Sequence, residues 1–343
     1  MDLKRLVKKG VCGLKAYNAR EIPCKVKLDS NESPYGFGQA LKAVAGISTN
    51  RYPDPEAKMV RTLFARNLGI RPENILQGNG SDELIYYLIA TYGGPVLYPV
   101  PTFSMYGIIS QALGEKNIGI ALDREFDIDI DRTMRSIRKD RPKLVFLSSP
   151  NNPTGNCFSS DRILKIIAGA PGIVIVDEAY QPFASEMGFL PFLKDFKNLV
   201  IMRTLSKVGL AALRLGFLIA DPDIIEEVNK VRLPYNVNAL SQAVAAAVLG
   251  KKNLLNSAVK KIASERDRLF NEMQKIEGVG PFPSEANFIL FSVKDPDKVF
   301  KALLKKGILV RNLNDAVKGC LRVTVGTPEE NTAFIKALGK IQA

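Results

Sequence analysis

Short apolar segments alternate with helical patterns from about Asn74 to Asp221, and this alternation constrains the fold more than any other feature of the chain. Three of the segments are apolar at every position, namely Leu144 to Leu147, Ile173 to Val176 and Leu199 to Met202. Such segments are typical of strands buried on both faces, because helices cover both sides of their sheet. We therefore predict an α/β domain with a mainly parallel sheet, which also includes Val96 to Tyr98 and Leu213 to Ile219.

The pattern changes after Asp221. Apolar residues recur at helical spacing from Leu255 to Ile276, which predicts a long connecting helix. The rest predicts a small α/β domain with strands and helices at Ala286 to Val293, Pro296 to Lys306, Ile308 to Arg311, Cys320 to Val325, and from Thr327 onward. Residues 1–30 have no strong period, so we expect an extended N-terminal arm. The expected division is this arm, a large domain at residues 31–250 and a small C-terminal domain at 251–343.

The length and composition agree with this division. A chain of 343 residues is long enough for two domains, and 46% hydrophobic with 24% charged residues is ordinary for a globular protein. The basic first residues are not followed by an apolar segment of signal-peptide length, and no stretch of 18 apolar residues occurs. We therefore expect a cytoplasmic protein.

The chain contains no histidine, which excludes several kinds of catalytic site. Ser-His-Asp and Cys-His catalysis both need an imidazole, so any general base has to be a lysine, a carboxylate or a tyrosine. The four cysteines are scattered without C-x-x-C spacing. We therefore expect no zinc site and no other metal site.

The net charge of +13 has two interpretations, a nucleic-acid surface or an enzyme with anionic small substrates. Lysines and arginines are spread along the chain in short pairs, without one basic block that contains interleaved aromatic residues. This distribution favours the enzyme and predicts no nucleic-acid partner and no membrane partner.

Polar residues follow each of the three doubly buried segments. The first segment leads into Ser148 to Gly155, the second into Asp177 to Tyr180, and the third into Arg203 to Lys207. Each piece alone is uninformative, because Asp after a strand and Asn-Pro-Thr-Gly are both common in turns. Ligands of open α/β sheets bind beyond the carboxyl ends of the strands, however, so the three pieces together predict one site.

Pyridoxal phosphate accounts for the residue types at these strand ends. This cofactor needs a lysine that holds its aldehyde as a Schiff base and an anion that keeps its pyridine nitrogen protonated. Lys207 and Asp177 fit these two roles. Tyr180 and Asn152 fit a third role, which is to stabilise the phenolic oxygen of the ring. We therefore predict Lys207, Asp177 and Tyr180 as catalytic residues.

The phosphate of this cofactor needs an anion site, and the segment before the apolar helix Leu84 to Ala90 provides one. Free backbone N–H groups and the helix dipole favour an anion there, although an ordinary Ser N-cap would explain the same residues. The expected cofactor-binding residues of this segment are Gly80, Ser81 and Asp82. Hydroxyl and guanidinium donors are expected from Thr204, Ser206 and Arg214.

Further short motifs occur in order along almost the whole chain. They are Leu28 to Gly36, Arg51 to Asp54, Gly78 to Glu83, Pro101 to Phe103, Asn151 to Gly155, Asp177 to Tyr180, Thr204 to Lys207, Leu213 to Gly216, and Leu321-Arg322. In these motifs the chain resembles the fold-type I pyridoxal-phosphate aminotransferases, and among them the subfamily that acts on histidinol phosphate. The resemblance implies a large domain with a mainly parallel seven-stranded sheet between helices, and a small α/β C-terminal domain.

The resemblance also implies roles that the residue pattern alone does not give. Phe103 matches the aromatic residue that stacks on the cofactor, and Tyr52 matches the tyrosine that reaches the cofactor phosphate of the neighbouring subunit. The implied assembly is a homodimer with shared active sites. Asn31 and Tyr35 match residues that help to cover the substrate.

Two arginines of the small domain bear on the choice of substrate. Arg322 lies on the opposite face of its predicted strand from Leu321 and Val323. By resemblance, Arg322 binds the acidic group of the substrate, and Arg311 is the second arginine that this subfamily uses for a substrate phosphate. Paired guanidinium groups suit a dianionic phosphate.

The activity implied by the resemblance is transamination between L-histidinol phosphate and 2-oxoglutarate, which forms imidazole acetol phosphate and glutamate in histidine biosynthesis. Two related activities stay open on the same scaffold, a threonine-phosphate decarboxylase and an aromatic amino acid aminotransferase. A catalytically silent binding or regulatory module is the alternative from another class. The presence of Lys207, Asp177, Tyr180 and Arg214 argues against that module.

Overall fold

The computed structural model of the chain describes residues 3–15 and 22–342. These residues contain twelve strands and eleven α-helices. The strands are β1 (Val26–Leu28), β2 (Ile75–Asn79), β3 (Val96–Val100), β4 (Asn117–Ala121), β5 (Leu144–Ser148), β6 (Ile173–Asp177), β7 (Leu199–Thr204), β8 (Leu215–Ile219), β9 (Val279–Pro281), β10 (Phe288–Val293), β11 (Ile308–Asn312) and β12 (Cys320–Thr324). The helices are α1 (Lys9–Cys12), α2 (Lys58–Leu68), α3 (Ser81–Tyr92), α4 (Met105–Leu113), α5 (Ile130–Asp140), α6 (Ser160–Gly169), α7 (Pro222–Asn229), α8 (Ala239–Leu249), α9 (Lys252–Gln274), α10 (Pro296–Lys305) and α11 (Pro328–Gln342).

Seven strands form one large sheet in the order β2-β8-β7-β6-β5-β3-β4. Strand β8 is antiparallel to its neighbours β2 and β7, and the other neighbouring pairs are parallel. The three segments predicted as doubly buried strands are β5, β6 and β7, which lie side by side at the centre. The expected mainly parallel seven-stranded sheet is confirmed.

Alternate residues of the central strands belong to apolar cores on opposite faces of this sheet. Val145 and Leu147 of β5 pack in one cluster with residues of α2, α5, α6 and α8. Leu144 and Phe146 pack in another cluster with residues of α3, α4 and α7. Because both faces are buried, each position of β5 is apolar up to Ser148, which is the last residue at the carboxyl end of the strand.

Five strands form the small sheet in the order β1-β11-β12-β10-β9, and they include every strand predicted for the C-terminal domain. Strand β1 pairs in parallel with β11, although its residues were assigned to the N-terminal arm. Strand β9 was not predicted, since it has three residues that are only partly buried or exposed. The proposed limits of the three regions stay a prediction.

The N-terminal arm is helical in two places where an extended chain was expected. Leu3–Leu6 form a 3₁₀ turn, and α1 forms one helical turn. The carbonyl oxygen of Gly10 in α1 accepts a hydrogen bond from Gln111 Nε2 of α4 at 3.0 Å, so this turn is held against the large domain. Residues 1–2 and 16–21 of the predicted arm lie outside the described residues.

The predicted connecting helix is α9, which has 23 residues. It buries Ile262, Leu269 and Met273 in the core shared with the small sheet. Neither α9 nor any other helix in the described part of the chain combines the length and apolar character that a membrane span requires.

Candidate active site

The polar segments after β5, β6 and β7 meet in one pocket, as the order of the strands predicts. The pocket contains about 500 Å³ of empty space, part of it continuous with solvent. It is lined by Ser81, Asp82, Phe103, Ser148, Asn152, Asp177, Ala179, Tyr180, Thr204, Ser206, Lys207 and Arg214. Of these, Ser148 and Ala179 were not among the predicted site residues. The structure thus brings most of the predicted residues together, while their individual roles stay predictions.

Lys207 lies in the loop that follows β7. A single 3₁₀ turn, Ser206–Val208, holds the lysine at the pocket. The Lys207 ammonium nitrogen lies 5.6 Å from the centre of the Tyr180 ring. Gly209 ends the turn with a φ of 102°, and any side chain there would collide with the carbonyl oxygen of Tyr35. The lysine loop therefore packs directly against the segment that contains Tyr35.

Asp177 is the last residue of β6 and is 4% exposed. Its Oδ2 accepts a hydrogen bond from the Tyr106 hydroxyl at 2.6 Å, and its Oδ1 accepts one from the Ala179 N–H at 3.1 Å. Burial raises the pKa of the Asp177 carboxyl to about 6, while both hydrogen bonds and the nearby Lys207 favour the ionised form. The site therefore contains a buried carboxylate that can pair with a cationic ring nitrogen.

Tyr180 is buried, and its hydroxyl oxygen accepts a hydrogen bond from Asn31 Nδ2 at 2.9 Å. Asn31 is itself held by the small sheet, since its N–H donates to Thr324 Oγ1 at 2.9 Å and its carbonyl accepts from Asn287 Nδ2 at 3.0 Å. Its φ of 54° lies in the left-handed region, which asparagine adopts more readily than most residues. Asn31 thus connects the pocket to β12.

Arg322 also lies next to the pocket. Its Nη1 donates to Asn152 Oδ1 at 2.5 Å, and its Nη2 donates to the Asp29 carbonyl at 2.9 Å. The guanidinium carbon lies 5.1 Å from the centre of the Phe288 ring. The Asn152–Pro153 peptide is cis. A buried guanidinium group, 8% exposed as a residue, is therefore within reach of a ligand bound against Asn152.

The start of α3 forms the other end of the pocket. Gly80 is the N-cap with a φ of 87°, and it offers no side-chain cap, so the alternative of a Ser N-cap is wrong. A side-chain carbon at Gly216 of β8 would lie 2.7 Å from the Ser81 nitrogen, so only glycine permits this approach. Arg214 Nη2 lies 3.3 Å from Asp82 Oδ2 with both side chains about half exposed. This end of the pocket can bind an anion through backbone N–H groups and a guanidinium group.

The hydroxyl groups of Thr204 and Ser206 lie beside this anion site and are both buried. Thr204 Oγ1 lies 3.0 Å from Ser206 Oγ and 3.0 Å from the Leu215 carbonyl oxygen. The Ser206 N–H donates to Thr204 Oγ1 at 3.1 Å. These contacts fix the turn that precedes Lys207.

Six predicted site residues are not among those that line the pocket. Gly80, Asn31 and Arg322 lie next to lining residues, as described above, whereas Tyr52, Tyr35 and Arg311 lie elsewhere. Tyr52 is 80% exposed and stacks on Tyr235 with ring centroids 4.5 Å apart. Tyr35 is partly buried, and Lys261 Nζ lies 5.5 Å from its ring centre. Arg311 is exposed on β11 and lies directly opposite Arg322 in the register, so the two side chains share one face of the small sheet.

A family model described as aminotransferase class I and II matches residues 23–338. The chain belongs to this family. The histidinol-phosphate aminotransferase of Aquifex aeolicus is 44% identical over 337 residues, which cover 95% of each chain. That of Caldanaerobacter subterraneus subsp. tengcongensis is 39% identical over 99% of each chain. The fold is that of the Sinorhizobium meliloti histidinol-phosphate aminotransferase solved with pyridoxal-5'-phosphate, with a TM-score of 0.87, 24% identity and coverage of 97% of this chain and 96% of that chain. The resemblance inferred from the motifs is therefore confirmed.

Aminotransferases of this family depend on pyridoxal phosphate, and the residues of this pocket fit that cofactor. The anion site at the start of α3 suits its phosphate, the buried Asp177 suits its pyridine nitrogen, and Lys207 supplies the amine for its aldehyde. The predicted cofactor and the predicted class of enzyme are thus confirmed. Within the described residues, no group of three or more Cys, Asp or Glu side chains is arranged to hold a metal ion.

Proposed function

We propose that this aminotransferase exchanges the amino group of L-histidinol phosphate with 2-oxoglutarate, forming imidazole acetol phosphate and glutamate in histidine biosynthesis. The observation that supports it most is a single pocket with Lys207, Asp177 and Arg214, in a chain that is 44% identical to a curated histidinol-phosphate aminotransferase. The same pocket argues against a silent binding module, because each residue type that the cofactor requires is present.

When bound, pyridoxal phosphate supplies an aldehyde that takes up the amino group and a ring that accepts electrons. Lys207 would hold the aldehyde, and its amino group would serve as the base that moves the proton of the substrate Cα. Asp177 keeps the pyridine nitrogen protonated. Tyr180 and Asn152 donate hydrogen bonds to the phenolic oxygen, and Phe103 packs against the ring. These five side chains all line the pocket.

The cofactor phosphate is assigned to the turn before α3. Backbone N–H groups of this turn donate to it, and the side chains nearby add hydroxyl and guanidinium donors. The residues proposed for this site are Gly80, Ser81, Asp82, Thr204, Ser206 and Arg214. The ion pair between Arg214 and Asp82 is half exposed and therefore weak, so the guanidinium group can turn to a bound phosphate at little cost.

The substrate is assigned to the side of the pocket that faces the small sheet. Arg322, which is buried and contacts Asn152, binds the acidic group of the substrate. Arg311 shares its face of the sheet and adds a second guanidinium group for a phosphate. Asn31 and Tyr35 lie on the segment that passes over the lysine loop, and they cover the bound substrate.

The active assembly in this proposal is a homodimer in which Tyr52 reaches the cofactor phosphate of the partner subunit. The exposed stack of Tyr52 on Tyr235 supports this assembly, because large aromatic side chains are enriched at protein interfaces. The proposed location is the cytoplasm, in keeping with four cysteines that are all unpaired.

A single-turnover experiment tests the proposed reaction. Histidinol phosphate alone should change the visible absorbance of the bound cofactor and release imidazole acetol phosphate, and 2-oxoglutarate should reverse the change and release glutamate. Lys207→Ala should abolish steady turnover and alter the cofactor absorbance. Lys197→Ala, at an exposed residue shortly before β7, should leave both unchanged. Release of carbon dioxide from O-phosphothreonine without amino transfer would instead assign the chain to the decarboxylases.

A further inference from the structure

Tyr106 is a buried tyrosine that the proposed reaction does not use. It lies in the first turn of α4 and is fully buried. Its ring stacks on Phe146 with centroids 4.8 Å apart, and the Phe103 ring meets its edge at 5.6 Å. These neighbours fix the direction of its hydroxyl group, which donates to Asp177 Oδ2 at 2.6 Å.

This hydroxyl group reaches Asp177 from the side that faces away from the pocket. Asp177 lines the pocket, whereas Tyr106 does not. The other hydrogen bond to the carboxyl comes from the backbone of Ala179, so among the described residues Tyr106 supplies the side-chain donor. A ligand in the pocket therefore contacts Asp177 without contacting Tyr106.

Other ionisable groups act on Asp177 from the elements around it. Asp82 of α3 opposes its ionisation, and Lys207 of the lysine loop favours it. Tyr180, which follows β6, acts on Tyr106 rather than on Asp177, and it raises the pKa of the Tyr106 hydroxyl. Burial and the charge of Asp177 raise the pKa of Tyr106 well above its usual range. The Tyr106 hydroxyl therefore stays protonated and remains a donor at any pH at which the enzyme works.

The length of this hydrogen bond suits an ionised acceptor. O–H groups that donate to a carboxylate typically lie about 2.5–2.7 Å from it, and such bonds are stronger than those between neutral groups. The chain has no histidine that could donate to the carboxylate in place of the tyrosine.

We propose that Tyr106 is a positioning residue of the active site, whose hydroxyl keeps Asp177 ionised and directed toward the pyridine nitrogen of the cofactor. The inference rests on the proposed role of Asp177. Tyr106 acts through Asp177 and touches neither substrate nor cofactor.

The test compares Tyr106→Phe with a neighbouring control. Tyr98→Phe removes the hydroxyl of a tyrosine whose ring lies 6.3 Å from that of Tyr106 and whose hydrogen bond goes to Asn117. The affinity of the cofactor-free protein for pyridoxal phosphate is measured by absorbance over a range of pH. The cofactor phosphate titrates in the same range, but it does so equally for every variant.

The pH at which affinity is lost on acidification should move upward by roughly one to two units in Tyr106→Phe, because a hydrogen bond to a charged group has about that strength. Tyr98→Phe should have the profile of the native protein. At high pH, where Asp177 is ionised in each protein, the affinities should converge. An unshifted profile in Tyr106→Phe would overturn the inference.

Asp177→Asn separates this inference from the function on which it rests. If Asp177 pairs with the cofactor, Asp177→Asn loses affinity, and adding Tyr106→Phe to it changes nothing further. If Asp177→Asn binds the cofactor like the native protein, the proposed role of Asp177 is itself wrong. If Asp177→Asn loses affinity but Tyr106→Phe keeps the native profile, only the role of Tyr106 is wrong.

A substitution of nearly equal size keeps the test valid if Tyr106→Phe does not fold. Fluorotyrosine at position 106 retains the hydroxyl group and makes it a stronger donor. It should therefore move the loss of affinity to lower pH, opposite to the shift expected for phenylalanine. A shift in the same direction as phenylalanine, or no shift, would contradict the proposal.

Discussion

Gly216→Ala tests whether the close packing of β8 beneath the start of α3 holds the phosphate site. The added carbon would lie 2.7 Å from the Ser81 nitrogen and 2.8 Å from the Gly80 carbonyl carbon. Both are backbone atoms, so the strain cannot be relieved by rotating a side chain. Insertion of a methyl group into such packing costs about 1–3 kcal/mol. Gly216 has no left-handed φ, so this cost comes from the contact alone.

The cost can appear in two measurable quantities. If the turn stays in place, the free energy of unfolding of the cofactor-free protein falls by about 1–3 kcal/mol, which urea denaturation measures. If the turn moves, the affinity for pyridoxal phosphate falls by roughly 5- to 150-fold, the equivalent of the same free energy. Pyridoxal, which lacks the phosphate, should lose much less affinity than the complete cofactor.

Gly339→Ala is the matched control, because nothing lies within 4 Å of the added carbon in α11. Alanine is the better helix former by about 0.5–1 kcal/mol, so this variant should gain stability and bind the cofactor normally. If Gly216→Ala behaves like Gly339→Ala, β8 does not support the turn, and the assigned phosphate site is wrong.

Two further substitutions follow from the buried charges of the site. Burial raises the pKa of Asp177 from 3.8 to about 6. The buried carboxyl is therefore least costly to the stability of the cofactor-free protein below pH 3.8, and stability is lost as the pH rises through 6 and the carboxyl ionises. The free energy of unfolding of cofactor-free Asp177→Asn, measured by urea denaturation, should thus exceed that of the native protein by about 3 kcal/mol at pH 8 and match it at about pH 3; an equal difference at both pH values would contradict this. Arg322→Gln should lower kcat/KM for histidinol phosphate at least roughly 30-fold with the cofactor absorbance retained, because the acidic group of the substrate loses its buried charged partner. Exposed Arg138→Gln is the control, and equal effects of the two would refute the role of Arg322.

The centre of the large sheet could be predicted because burial on both faces leaves a distinctive pattern. Strands β5 to β7 are apolar at almost every position, and no helix-like period competes with that pattern. Strand β4 lies at an edge with its residues exposed or partly buried, so its sequence has no comparable pattern. The start of β8 was placed two residues early, because Ala211–Leu213 form a 3₁₀ turn and Arg214 has a left-handed φ of 53°.

Residues of the site likewise differ in how well they could be predicted. Those positioned by the order of the strands could be predicted, and those positioned by tertiary packing could not. Asp177 ends β6 and Lys207 follows β7, and these two strands are parallel neighbours in the sheet, so predicting the strands also predicts that their ends converge. Tyr106 reaches the same carboxylate from α4, which packs against β3 and β4, and its ring stacks on Phe146 of β5. In the sequence, Phe103 and Tyr106 have the spacing of two apolar residues on one buried helix face. No sequence feature distinguishes a buried tyrosine whose hydroxyl has a hydrogen-bond partner from one whose hydroxyl has none. The absence of histidine narrows the donors that a buried carboxylate can have, but the choice among ten tyrosines requires the fold.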